Sequence, residues 1–264
     1  MFSGTTATLS YDNLDHFTEW NAGSTNQEWY LYDASGQRVL RRFTTSSSTT
    51  ILTFPFGLQE HQYNGTGTNG HNTYYYFLGG HLIGSLDNNG TRYYLTDALG
   101  SILSDITNAA GGASLKGNQL FGPYGKGRSF NGDINTAKGF TGQYNDGTGL
   151  DYYNARYYDP KVGMFLSADI VQGNAQGMGP YAYVAGNPET LTDPSGQMFV
   201  TAGDGGGGGD KTGQGGGVDK TGGIEGTSAG PPPSLFSRNS PIVRFGRNIQ
   251  RQVARGNLVV LVKA

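Results

Sequence analysis

Tyr74-Tyr75-Tyr76-Phe77-Leu78, Gly79-Gly80, His81-Leu82-Ile83-Gly84-Ser85-Leu86, Asp87-Asn88-Asn89-Gly90, Thr91-Arg92-Tyr93-Tyr94-Leu95 and Thr96-Asp97-Ala98-Leu99-Gly100 follow one another without a break. Each aromatic or β-branched run is the length of a strand, and each spacer holds the residues that turn a chain back on itself. Asp and Asn carboxyl or amide groups bond to their own turn, and Gly accepts the positive φ that closes it. Trp29-Tyr30-Leu31-Tyr32, Asp33-Ala34-Ser35-Gly36 and Gln37-Arg38-Val39-Leu40-Arg41-Arg42-Phe43 repeat the scheme upstream. No stretch before about residue 240 has the 3.6-residue apolar period of a helix, so the fold class is all-β, built from antiparallel β-hairpin repeats. One such unit cannot bury its apolar face alone, so neighbouring units must supply the core.

Composition narrows the function classes. The 264 residues include 45 Gly, 17 Tyr and no Cys, and 18 Lys plus Arg against 20 Asp plus Glu give a net charge of -2. That balance argues against an electrostatic nucleic-acid binder, and the missing thiols exclude disulfides, thiolate metal centres and a Cys nucleophile. No membrane span and no signal peptide is visible in the sequence. Three parts are expected: repeats and core over 1–198, a Gly/Pro-rich linker over 199–240 that stays disordered, and a short basic tail over 241–264. The tail contains the one plausible helix, from Arg244 to Arg255.

Several motifs together resemble the RHS/YD-repeat family. Tyr32-Asp33-Ala34-Ser35-Gly36-Gln37-Arg38 is similar to a YD repeat, and Tyr94 to Ser101 to the related unit near the end of RHS proteins. Phe121 to Gly125, Gly139-Phe140-Thr141-Gly142-Gln143, Tyr152 to Pro160, Ser167-Ala168-Asp169 and Asp193-Pro194-Ser195-Gly196 resemble the RHS repeat-associated core. The resemblance covers roughly residues 8 to 196. It implies part of a curved, spiral YD shell closed by a C-terminal plug, as in polymorphic toxins, where the segment beyond the core is an effector. Teneurins use a similar shell for adhesion.

In several family members the core is an aspartyl autoprotease. The resemblance places its carboxylates on Asp169 and Asp193, a supporting arginine on Arg156, and the cut at Gly196-Gln197-Met198, between Gln197 and Met198 or one bond later. Such chemistry needs two carboxyl groups that do not ionise together. This chain has Met164, Ile170 and Gln197 where the family pattern has Arg, Pro and Leu. Two readings stay open: a self-processing module that closes a shell around an effector, and a non-catalytic structural or adhesion module whose aspartates form turns. A third, sugar binding by the Tyr-rich strands, competes with ordinary cross-strand packing.

The partners implied are the rest of the shell or the chain's own effector, with an immunity or secretion partner, in a secreted or cell-surface setting. No cofactor is expected, and no metal, because His16, His61, His71 and His81 lie in three different units with no carboxylate at ligand spacing. Gly205 to Thr212 lacks the glycine a phosphate loop needs before Lys211. So few repeats are expected to give an open sheet with exposed edges, in a chain that reads either as a fragment of a longer product or as a remnant whose shell and effector are both cut down.

Overall fold

In the computed structural model, residues 7–65, 70–109, 112–170 and 179–201 are described. Twelve strands form one antiparallel sheet: Leu9–Tyr11 (β1), Phe17–Trp20 (β2), Gln27–Tyr32 (β3), Arg38–Thr44 (β4), Thr49–Thr53 (β5), Gln59–Asn64 (β6), His71–Leu78 (β7), His81–Asp87 (β8), Gly90–Thr96 (β9), Ile102–Ala109 (β10), Gly112–Phe121 (β11) and Gly127–Gly132 (β12). They lie side by side in chain order, each bonded to its sequence neighbours. The sheet is open, not closed into a barrel, with β1 and β12 at its edges. The expected hairpins at β3–β4, β7–β8 and β8–β9 are all present.

The turns show why. Asp33 Oδ1 accepts from the N–H of Ser35 at 2.8 Å and of Gln37 at 3.0 Å. Asp97 Oδ1 does the same for Leu99 and Ser101, and Asp12 Oδ1 for Leu14 and His16. The fourth residue of each turn is left-handed: Gly36 at φ 80°, Gly100 at φ 85° and Asp15 at φ 61°. The carboxylate satisfies N–H groups that the reversing ladder leaves free, and the glycine makes the reversal cheap. At Tyr11 and Tyr32, immediately before their turns, the register shifts by a bulge.

After β12 the chain crosses back over the sheet. Asn135 Nδ2 donates to Asp87 at 2.7 Å, its N–H donates to Asp105 at 2.8 Å, and Tyr94 donates to its carbonyl at 3.0 Å. A second, four-stranded sheet follows: Tyr144–Asn145 (β13), Asp151–Tyr153 (β14), Arg156–Asp159 (β15) and Met164–Phe165 (β16). Neighbouring residues of a strand point to opposite faces, so each tyrosine pair on β14 and β15 serves two cores. Tyr152 and Tyr157 join Phe17, Tyr30, Leu52, Tyr75 and Leu82 of the large sheet. Tyr153 and Tyr158 join Phe140, Phe165, Tyr183 and Val184 in a second cluster. Burying a side chain of this size contributes roughly 1.5–3 kcal/mol, so the four tyrosines fasten the small sheet on both sides.

A buried ionic cluster ties the sheets together. Arg38 bonds to Asp146 and, at 3.0 Å, to Tyr157 Oη, with its guanidinium 4.1 Å from the Tyr152 ring and 4.8 Å from Phe54. Arg41 grips Glu28 through two bonds of 2.7 and 2.9 Å. All four charged groups are buried. Two short strands, Leu191–Thr192 (β17) and Val200–Thr201 (β18), pair antiparallel at the end of the described chain. The linker from residue 202, the basic tail, the Arg244–Arg255 helix and the Gly205–Thr212 loop lie outside the described residues.

Candidate functional site

Asp193-Pro194-Ser195-Gly196 is another turn of the Asp33 kind. Asp193 Oδ1 accepts from Gln197 N–H at 3.1 Å, Met198 N–H at 3.0 Å and Ser195 Oγ at 3.3 Å, and Gly196 is left-handed at φ 72°. Here, however, the turn is pressed against the β14–β15 hairpin. A Cβ at Gly196 would stand 2.2 Å from the Tyr153 carbonyl oxygen, so only glycine fits.

Three successive carbonyls of the turn are held by three successive residues of that hairpin. Asn154 Nδ2 donates to the Pro194 carbonyl at 2.8 Å, joined by Gln143 Nε2 at 3.2 Å. Ala155 N–H donates to the Ser195 carbonyl at 3.1 Å, and Arg156 Nε donates to the Gly196 carbonyl. Asn154 sits at φ 57°, a conformation Asn tolerates better than most residues, which lets the hairpin reverse and aim its amide at the turn.

Arg156 is buried, its guanidinium carbon 3.7 Å from the centre of the Phe165 ring. Its Nη1 donates to the Pro180 carbonyl at 3.0 Å. Its Nη2 is 3.0 Å from Asp169 Oδ2 and 3.5 Å from Asp193 Oδ2. Asp169 is fixed by its own N–H, which donates to the same Pro180 carbonyl at 2.9 Å. Only the fork of a guanidinium can serve so many acceptors at once.

Arg156, Asp169, Asp193, Gly196, Gln197 and Met198 therefore meet in one place, although Arg156 and Asp193 are far apart in sequence. Burial raises the pKa of Asp193, opposed by Arg156 and by the N–H groups of Met198, Gln197 and Gly196. A raised carboxyl beside a second carboxylate on a shared cation is a proton donor and acceptor in one site. A small cleft lined in part by Asp15, His16, Asn154, Leu166 and Ser167 touches this cluster at Arg156. Met164 and Ile170, two of the three departures from the family pattern, are exposed at 44% and 74% and leave the cluster intact.

Gln143 and Asn154 were not singled out from the sequence, although both stand inside quoted motifs. Their role depends on a contact some forty residues or more away in the chain. One reading is corrected: His16 and His71 do have carboxylate partners, Asp12 at 3.0 Å and Asp87 at 3.3 Å. Local turn geometry and strand pairing create these contacts. Among the described residues no three His, Cys, Asp or Glu side chains form a group able to hold a metal ion.

The chain resembles the crystallised TcdB2-TccC3 protein with a TM-score of 0.62 at 24% identity, over 73% of this chain and 10% of that one. Its fold is that of a part of the Tc toxin chain, about a tenth of its length. Two toxin subunits of Yersinia entomophaga are similar in sequence. YenC2 is 47% identical over 57 residues, which is 22% of this chain and 6% of YenC2. YenC1 is 34% identical over 114 residues, 41% of this chain and 11% of YenC1. This chain thus spans about a tenth or less of the length of the chains it matches. No family model matches it. The likeness supports the RHS-type reading of the sequence. Among the described residues no helix is long and apolar enough to cross a membrane.

Proposed function

We propose that this chain is the C-terminal core module of an RHS-type shell, which closes the shell around an effector and cuts its own chain between Gln197 and Met198. The observation that carries this reading is the Arg156 guanidinium, which joins Asp169 and Asp193 beside the bond to be cut. Asp169 takes a proton from water as the oxygen attacks the Gln197 carbonyl carbon. Attack makes the Met198 nitrogen tetrahedral and basic; the Asp193 carboxyl, 3.0 Å away, then gives its proton to that nitrogen, and the C–N bond breaks. The turn clamp holds the substrate strand still, supplying the proximity that an intramolecular reaction exploits. The edges of β1 and β12 offer backbone groups on which further shell strands can pair. The downstream effector is the cargo, and the setting is a secreted toxin with its immunity or secretion partners.

A denaturing gel of the expressed chain tests the cut. A product ending at Gln197, lost in Asp193→Asn and in Asp169→Asn, is the expected result. A full-length band from pH 4 to 9 sinks the catalytic reading. The second reading, a non-catalytic shell or adhesion module, is favoured by the three donors that already occupy Asp193 Oδ1, as they do in an ordinary turn.

A further inference from the structure

Met198 N–H already points at a buried carboxylate, and the residues after it are already bound to the body of the chain. Phe199 packs against the cluster of Phe140, Tyr153, Tyr158 and Phe165. Val200 and Thr201 pair with Thr192 and Leu191. Every one of these contacts lies downstream of the proposed cut, and none needs the Gln197–Met198 bond.

We infer that Asp193 and the β17 edge form a binding site for a peptide with a free N-terminal ammonium followed by an aromatic and a β-branched residue, filled after cleavage by Met198-Phe199-Val200-Thr201. This inference rests on the cut falling between Gln197 and Met198. Hydrolysis adds one water: the oxygen stays on the Gln197 carbon as a carboxylate, the C–N bond breaks, and Met198 leaves as an amine that takes a proton at neutral pH. One N–H donor thereby becomes an ammonium with three, at the same 3.0 Å position. Charge favours its staying. Arg156 faces both Asp169 and Asp193, and the new Gln197 carboxylate adds a third negative group that the ammonium helps to balance. Asp193 thus changes from proton donor to counter-ion, and the site is spent after one turnover.

The test uses the full chain with a protease recognition sequence inserted between Gln197 and Met198, chosen so that cutting leaves Met198 as the new N-terminus. Cutting is then independent of self-cleavage and possible in Asp193→Asn. The readout is the rate at which an amine-acylating reagent labels Met198 at pH 7. The expected result is labelling at least about tenfold slower in the folded cut chain than in denaturant, since each unit of raised amine pKa cuts the reactive fraction tenfold. Asp193→Asn restores the denatured rate. Phe199→Ala, which leaves Asp193 and Arg156 untouched, also speeds labelling and separates the two pieces on size exclusion. Equal labelling of folded and denatured wild-type chain overturns the inference, as does an Asp193→Asn chain that stays protected. Protection in the protease-cut chain without self-cleavage of the unmodified chain removes the catalytic reading alone.

Discussion

The turns at Asp33 and Asp193 share one local design and differ in what surrounds them. Both use an aspartate to gather N–H groups and a left-handed glycine three residues later. At the exposed Asp33, the modest cost of burial is outweighed by bonds from Ser35 and Gln37, and the pKa falls. At the fully buried Asp193, burial outweighs Arg156 and the turn's N–H groups, and the pKa rises. The same four-residue chemistry therefore gives a structural corner on the sheet and, in the core, a buried carboxyl with a raised pKa. Tertiary packing decides between them, through a cation and the loss of water.

Four measurements press on this difference, beginning with the largest effect. Gly196→Ala should cost more than about 4 kcal/mol in urea unfolding, because the new Cβ meets backbone at 2.2 Å. Gly36→Ala, which meets only the His16 ring at 3.1 Å, should cost about 1–2 kcal/mol, the ordinary penalty of a left-handed residue. Equal costs would erase the distinction between the two turns. Next, Arg156→Met should lose about 3–5 kcal/mol by stranding two carboxylates, and should abolish any self-cleavage. A stable, still-cleaving Arg156→Met would show that the guanidinium does not organise the site.

The third measurement is a pH profile. Burial, reinforced by Asp146 and Asp159 and opposed by Asn145, raises the Asp151 pKa to about 7. The folded chain then holds a proton that the unfolded chain has released, so stability falls as pH rises from about 4 through 7, by about 4 kcal/mol at most. Asp151→Asn should flatten that decline in the urea midpoint. The lowered pKa of Asp33 has the opposite sign, its contribution being lost as pH falls. The smallest effect belongs to Ser35→Ala, which removes one exposed 2.7 Å bond to Asp33 and should cost about 1 kcal/mol or less. A larger loss would mean that the Asp33 corner carries more than local order.

How much of this was legible follows the same line. The hairpins were readable because their causes are local: a tyrosine-rich run, an aspartate, a glycine. Arg156, Asp169 and Asp193 were reachable through resemblance to the RHS core, and the structure gathers them. Arg38 and Arg41 were not recognisable as core, because nothing near them in sequence discloses that Asp146, a hundred residues on, neutralises them. Asn154 and Gln143 were missed for the same reason, since an amide clamping a distant carbonyl leaves no periodic trace. Alternation shows which face of a strand a tyrosine takes, and not which second layer will cover it.

The twelve strands of the large sheet stand in the order in which the ribosome makes them. A hairpin duplicated or lost between β4 and β7 would leave every other neighbour relation as it was, much as a page added to a folded screen leaves the remaining hinges alone. The return segment from Asn135 onward has no such freedom, because its anchors are matched to fixed addresses on β4, β8 and β10. Over evolutionary time the screen can lengthen or shorten by whole panels, while the piece folded back across it must keep its stride.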